Sequence, residues 1–147
     1  MSLYSFTYTL HHVLLLKLIA NFPFDRARTL HNFLFLAAAN TPAAERIGIN
    51  YEFYRGAASV YSFEIQGFLT DLKRGALLQT DTLALTKEGR DFYYQVASLL
   101  RYERFPAYCM NLAAHYQHNL WRVNHEIIFH PLFRKCKVGR KISLPAL

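Results

Sequence analysis

The sequence predicts an α+β fold in which helices dominate. Three observations carry that expectation. Apolar residues recur at helical spacing in several separate segments, and one six-residue stretch alternates apolar and polar as a half-buried strand does. The stretch "GFLTDLKRGALLQTDTLALTKEGRDFY" (67–93) reads as helix, short hairpin and helix. That is the order in which a winged helix builds its third helix, its wing and the next helix.

Leu10, Val13, Leu14 and Leu18 recur at helical spacing, and Leu15, Leu16 and Ile19 widen the stripe, so the first helix is expected to be buried on most sides. "NFPFD" interrupts it, and Asp25 is placed to N-cap a second helix with Leu30, Phe33, Leu34, Ala37 and Ala38 on one face. "NTPAAERIGIN" reads as a loop. "INYEFY" then alternates, with Ile49, Tyr51 and Phe53 on one side of a strand. After Gly56 a third helix is expected to bury Tyr61, Ile65, Phe68, Leu69 and Leu72. Gly67 costs it about 1 kcal/mol relative to Ala, and Gly75 suits its C-cap. "ALLQTDTLALT" reads as a hairpin around Thr80-Asp81, with Leu83 and Leu85 facing the core. Thr86 caps a fourth helix carrying Phe92, Tyr93, Val96, Leu99 and Leu100. Beyond Pro106, the spacing of Cys109, Leu112, Ala113, Tyr116, Leu120, Val123 and Ile127 predicts one long helix ending at His130-Pro131. "LFRKCKVGRKISLPAL" has little periodicity. The expected organisation is a winged-helix domain over residues 1–104, a C-terminal helix over 105–131 packed on it, and a basic C-terminal arm over 132–147.

With 147 residues, 52% of them apolar, the chain is one domain with a substantial core. Charged residues make up 18%, below the roughly 25% usual for soluble domains, which leaves apolar surface for a partner. The net charge of +7 is unevenly placed. Residues 1–100 hold nine Lys/Arg against eight Asp/Glu, whereas residues 101–147 hold eight against two, with no acid after Glu126. The electrostatic footprint for nucleic acid therefore lies in the C-terminal third. Two cysteines, Cys109 and Cys136, make no disulfide framework and read as free thiols in a reducing cytosol. "LHHVLLLKLIANF" carries His11, His12 and Lys17 and is too short for a membrane span, so a cytoplasmic protein with no membrane association is expected.

Residues 24–93 carry a Lys/Arg-led helix, "RTLHNFLFLA", then an aromatic strand that turns into a helix, "YEFYRGAASVYSFEIQGFLTDL", and then "GALLQTDTLALTKEG". These resemble the "LQxFxFL" helix, the strand–turn–helix and the closing "GxLxxxxxLTxxG" of the small prokaryotic winged-helix proteins called YwgA-like. They are also similar in pattern to the Panacea domain of toxin–antitoxin systems. Gly56-Ala57-Ala58 stands where those proteins carry a Gly-Pro turn. The resemblance covers about half the chain. It implies a winged-helix fold and a regulatory, antitoxin or defence-associated role, and no particular ligand.

Candidate chemistry is sparse. "HEIIFH" (125–130) spaces its two His by five, not the four that a zinc-protease helix needs. His115, His118, Arg122 and His125, at spacings of 3, 4 and 3, form one stripe of the predicted long helix. They read as a polar face, a surface for phosphate or an acidic partner, or a two-His metal site lacking further ligands. Asp71-x-Lys73 has a nuclease-like spacing but sits on a helix, where it reads as solvated surface. No nucleotide-cradling or nucleophile motif is present, so no enzyme, metal or cofactor is expected. Arg134, Lys135, Lys137, Arg140 and Lys141 form the basic cluster of the arm.

Two functions fit. In the first, a winged helix binds nucleic acid, most simply DNA, with positioning contacts from Ser59, Ser62, Gln66, Lys73 and Arg74 and most of the affinity from the arm. In the second, the scaffold is a protein-interaction module, antitoxin-like or part of a defence complex. Phe63 is then the anchor on an otherwise polar helix face, and His115, His118, Arg122 and His125 form a second contact. A homodimer is compatible with either.

Overall fold

The computed structural model describes residues 7–46, 48 and 50–145. The architecture is α+β: helices predominate beside one small three-stranded antiparallel sheet. Helix α1 (Leu10–Asn21) is buried on most sides, as its wide apolar stripe requires. Helix α2 (Ala27–Ala39) is buried almost completely from Thr29 onward and packs most extensively against α6 (Val123–Phe129). Arg26 rather than Asp25 holds the N-cap position of α2, and no side-chain bond caps it there.

Strand β1 (Phe53–Arg55) is central, with β2 (Val60–Tyr61) on one side and β3 (Lys141–Ile142) on the other. Tyr51 and Phe53 face the core as the alternation requires. Ile49 lies outside the described residues. The pairing with β3 corrects the expected arm: residues 131–142 fold onto the domain as a knuckle. Pro131 opens helix α7 (Pro131–Lys135), where its fixed φ suits the first helical position, and Phe133 and Ile142 are buried. The Arg55 guanidinium lies over the Phe133 ring (4.3 Å) and donates to the Cys136 carbonyl. The Arg55 backbone accepts from Gly139 N–H (2.7 Å) and donates to the Arg140 carbonyl (2.9 Å). Gly139, at φ +84°, makes the turn in a conformation that other residues rarely adopt.

Helix α3 (Phe63–Arg74) begins later than the sequence suggested, because β2 intervenes after Gly56. Ile65, Leu69 and Leu72 are its buried stripe. Tyr61 lies on β2 and is exposed, not part of that stripe. Gly67 does not break the helix. The hairpin reduces to one bridge, Leu78–Leu85, flanked by Gln79 N–H to the Ala84 carbonyl (2.9 Å) and Thr86 N–H to the Leu77 carbonyl (3.1 Å). Leu85 is buried and Leu83 half-buried. Thr86 caps helix α4 (Lys87–Val96) by accepting from Gly89 N–H at 2.9 Å, and its hydroxyl donates to the Ala76 carbonyl.

The predicted long C-terminal helix is two helices. α5 (Arg104–Tyr116) stops where Gln117 takes φ +55°, and a short 3-10 turn (Leu120–Arg122) leads into α6. Cys109 and Ala113 before the break, and Leu120, Val123 and Ile127 after it, are all buried. The break preserves the apolar phase, so periodicity alone does not reveal it.

Two glycines of similar appearance in the sequence should respond oppositely to substitution. A Cβ at Gly67 meets nothing within 4 Å, so Gly67→Ala should stabilise by about 0.5–1 kcal/mol. A Cβ at Gly89 falls 1.9 Å from the Leu77 carbonyl oxygen, a backbone atom held by Thr86 N–H, so Gly89→Ala should cost about 1–3 kcal/mol or more. Denaturant unfolding of the two variants checks both signs.

Candidate nucleic-acid interface

β2 is an edge strand, and its outward N–H groups at Val60 and Ser62 need partners. Helix α2 supplies them. Asn32 Oδ1 accepts from Val60 N–H (2.9 Å) and His31 Nδ1 accepts from Ser62 N–H (3.0 Å). Asn32 Nδ2 donates to Asn124 Oδ1 (2.8 Å), and Asn124 Nδ2 to Thr29 Oγ1 (3.1 Å), which ties α6 into the same network. Since Nδ1 of His31 accepts, its proton is on Nε2, which donates to Gln66 Oε1 at 3.2 Å.

This frame fixes what lies outward. Tyr61 pairs with Tyr54 and Tyr54 with Lys141, so the three occupy one row across the outer face of the sheet. Phe63, 63% exposed, packs edge-on against both tyrosines, with ring centroids 4.9 Å from Tyr61 and 5.6 Å from Tyr54. Lys141 pairs with Glu52 at 3.4 Å. Arg134, Lys135, Lys137 and Arg140 are also exposed, and none of those four forms an ion pair among the described residues.

The structure divides the residues that the sequence nominated. Ser62 is fully buried: its hydroxyl caps α3 by accepting from Ile65 N–H, so it reaches no partner. Gln66 is half-buried and bonded to His31. Ser59 sits in the β1–β2 turn, not on the helix, and its carbonyl accepts from Gly56 N–H (2.7 Å). Lys73 and Arg74 lie at the far end of α3, about 18 Å along its axis from Ser62. The His115, His118, Arg122 and His125 stripe does not exist, because the chain turns at Gln117 between its members. All four are exposed; His115 lies edge-on to Tyr116 (5.9 Å) and His125 to Trp121 (5.5 Å), one pair on each side of the break. Among the described residues no three His, Cys, Asp or Glu side chains are grouped to hold a metal ion. Sequence reasoning misses Tyr54 and Tyr61 as site residues. The parity of "YEFYR" places Tyr54 opposite Phe53, but Tyr61 carries a helical spacing that its strand overrides.

Asp71 is not a freely solvated residue. Its carboxylate is 2.9 Å from Nε2 of the buried His12, whose Nδ1 accepts from Thr9 N–H (2.9 Å), so the pair braces α1 against α3. A cleft of about 710 Å³ lies between the starts of α1 and α5. Several of its polar side chains are engaged with the protein. His11 bonds Tyr51 (3.0 Å) and stacks on Phe68, and Glu45 faces Arg104 at 3.7 Å. Burial pushes the thiol of Cys109 well above its usual range, which leaves it inert. No helix among the described residues is long and apolar enough to cross a membrane. No protein-family model matches the chain, and no curated protein or solved structure shows significant similarity to it.

Burial lowers the His31 pKa, partly offset by the Gln66 bond, and burial also lowers His11 and His130. A histidine kept neutral in the fold contributes stability that is complete above its unfolded pKa near 6.5 and falls away as pH drops through that value. Protonating His31 also removes the acceptor of Ser62 N–H. Denaturant midpoints should therefore fall between pH 7.5 and pH 5, and His31→Gln should flatten part of that fall.

Proposed function

We propose that the chain is a non-enzymatic, cytoplasmic nucleic-acid-binding protein on a winged-helix scaffold. Its role would be of the regulatory or defence-associated kind that the YwgA-like and Panacea-like resemblance implies. The succession of α3, the Leu78–Leu85 bridge and α4 supports the winged-helix part of this reading. The observation that carries the binding part is the knuckle. Five cations within residues 134–141 are held exposed on a folded segment without a single acid, and among the described residues only Lys141 forms an ion pair. Fixed cations hold phosphate without the ordering cost of a free tail, and each neutralised phosphate releases counterions. Because Ser62 and Gln66 face inward, base reading by the first turns of α3 drops out of the proposal. Lys73 and Arg74 remain as positioning contacts.

Log affinity for duplex DNA should fall with log salt at a slope of about −5, at about −0.9 for each of six cations: Lys73, Arg74 and the four of the knuckle that form no ion pair among the described residues. Arg134→Gln with Lys135→Gln should bring the slope to about −3.5 and weaken binding to all sequences alike, since phosphate contacts carry no base information. Unchanged slope and affinity in that double variant would leave the knuckle a solubilising surface and sink the reading. Removing residues 134–147 is the wrong test, because it deletes β3 and exposes the core around Ile142.

One observation favours the second reading, a protein-interaction module. Trp121, His125, Ile128 and Phe129 are exposed along the outward side of the α6 region, opposite Leu120, Val123 and Ile127. On this reading a second copy is the first partner to test. Sedimentation at micromolar concentration should give a dimer for the native chain and a monomer for Trp121→Glu. A monomer in both excludes self-association through this face.

A further inference from the structure

We propose that the outer face of the sheet is a stacking platform for unpaired bases, so that the nucleic acid bound is single-stranded. The inference rests on the nucleic-acid reading above and names its substrate class. Residues paired across antiparallel strands point to the same side. The row Tyr61–Tyr54–Lys141 therefore faces out, while Phe53, Val60 and Ile142 face the core. Neighbouring strands lie about 4.8 Å apart, so the rings and the Lys141 ammonium share a surface about 10 Å wide. Phe63 begins α3 beside this row and leans on both tyrosines at 78° and 71°.

The core has no need of these rings. The side chain of Phe63 is mostly in solvent, and Tyr61 is 39% exposed. They are nevertheless held in place. Tyr61 stacks on the buried His31 ring (5.0 Å, 11°), and the Tyr54 hydroxyl donates to Glu52 (3.3 Å). A contiguous exposed apolar patch marks an interaction surface, and the flat faces of bases cover rings whatever the sequence. In a duplex those faces are stacked on one another, whereas in a single strand they are free.

Charge separates this occupant from others. The knuckle that carries the cations is the same segment that supplies β3, so phosphates tracking the bases across the row meet Lys141 and, beyond it, the exposed basic segment that β3 belongs to. Two acids adjoin the platform, and both are engaged in the frame. Glu52 accepts from Tyr54 and pairs with Lys141, and Glu64 accepts from Glu52 N–H (2.6 Å) and the Ser62 hydroxyl (3.4 Å). Arg134 and Lys135 on α7 add to the positive side.

The test is fluorescence anisotropy with three labelled probes: an oligothymidine of on the order of 12 nucleotides, an abasic strand of equal length, and a duplex of that length. The abasic strand keeps the phosphates and lacks the bases. The native chain should bind the base-bearing strand about tenfold more tightly than the abasic one, and more tightly than the duplex. Phe63→Ala, which removes an exposed ring and leaves the core untouched, should bring base-bearing and abasic strands to within about twofold. Arg134→Gln with Lys135→Gln should weaken both alike. Equal binding of the two strands by the native chain, or a base preference that survives Phe63→Ala, overturns the platform and leaves the phosphate reading intact. A preference for the duplex overturns it in the same way. Failure to bind any probe at low salt overturns both.

Discussion

Two adjacent side chains of α2 stand in for a fourth strand. An edge strand with its outward N–H groups buried loses about 1–3 kcal/mol for each group left unsatisfied. At β2 those groups belong to Val60 and Ser62, and Asn32 and His31 take them. Three other features of the fold depend on that substitution. Ser62, fixed by its backbone, turns its hydroxyl to cap α3, and the helix axis is set from there. Tyr61, between the two bonded residues, is forced to the other side of the strand and settles on His31. The same Asn32 reaches Asn124 and so sets α6 against α2. The exposed aromatic row is thus built on a buried polar contact whose members are fully partnered among themselves.

The opposite edge of β1 is closed by the end of the described chain. Lys141 and Ile142 pair with residues 53 and 54, so the sheet is complete only when residues far apart in sequence meet. Arg55 makes that meeting specific, because its backbone bonds hold Gly139 and Arg140 while its guanidinium covers Phe133 and reaches Cys136. One edge of the sheet is therefore covered by neutral polar side chains, and the other edge is itself the basic segment. This asymmetry puts cations on one side of the tyrosines.

Much of this was legible in the sequence, and the failures have physical causes. The stripes of α1, α2 and α3 and the Thr86 cap follow from local periodicity and local hydrogen bonding, which a sequence carries on its surface. Tyr61 sits at a helical spacing from Ile65, yet the edge bonds of Val60 and Ser62 pull it into a strand. Ser62 and Gln66 fall on the polar side of a helical wheel, but a wheel drawn for one helix ignores the α2 side chains packed against it. The halt at Gln117 is invisible because Ala113 and Leu120, seven apart, keep their phase across it. His12 and Asp71 are 59 residues apart, and the pair is legible only in the fold. The short β3 has too few residues to alternate, so a basic strand passed for an arm.

Those corrections move the proposed site rather than remove it. The sequence placed recognition on α3 and affinity on a separate tail, two surfaces with no stated relation. In the fold the polar start of α3 turns inward, its one exposed ring stays outside, and the tail returns as the strand next but one to that ring. A near-neutral body with a strongly basic end then makes sense as a single surface. Cations spread over residues 1–100 would hold any nucleic acid along its backbone, in no fixed register. On the proposed reading, cations grouped on one knuckle beside three rings would instead fix the register of phosphates to bases. That arrangement needs few charges, because stacking contributes on a scale similar to that of a phosphate contact, and the +1 balance of the body then carries no penalty for the reading.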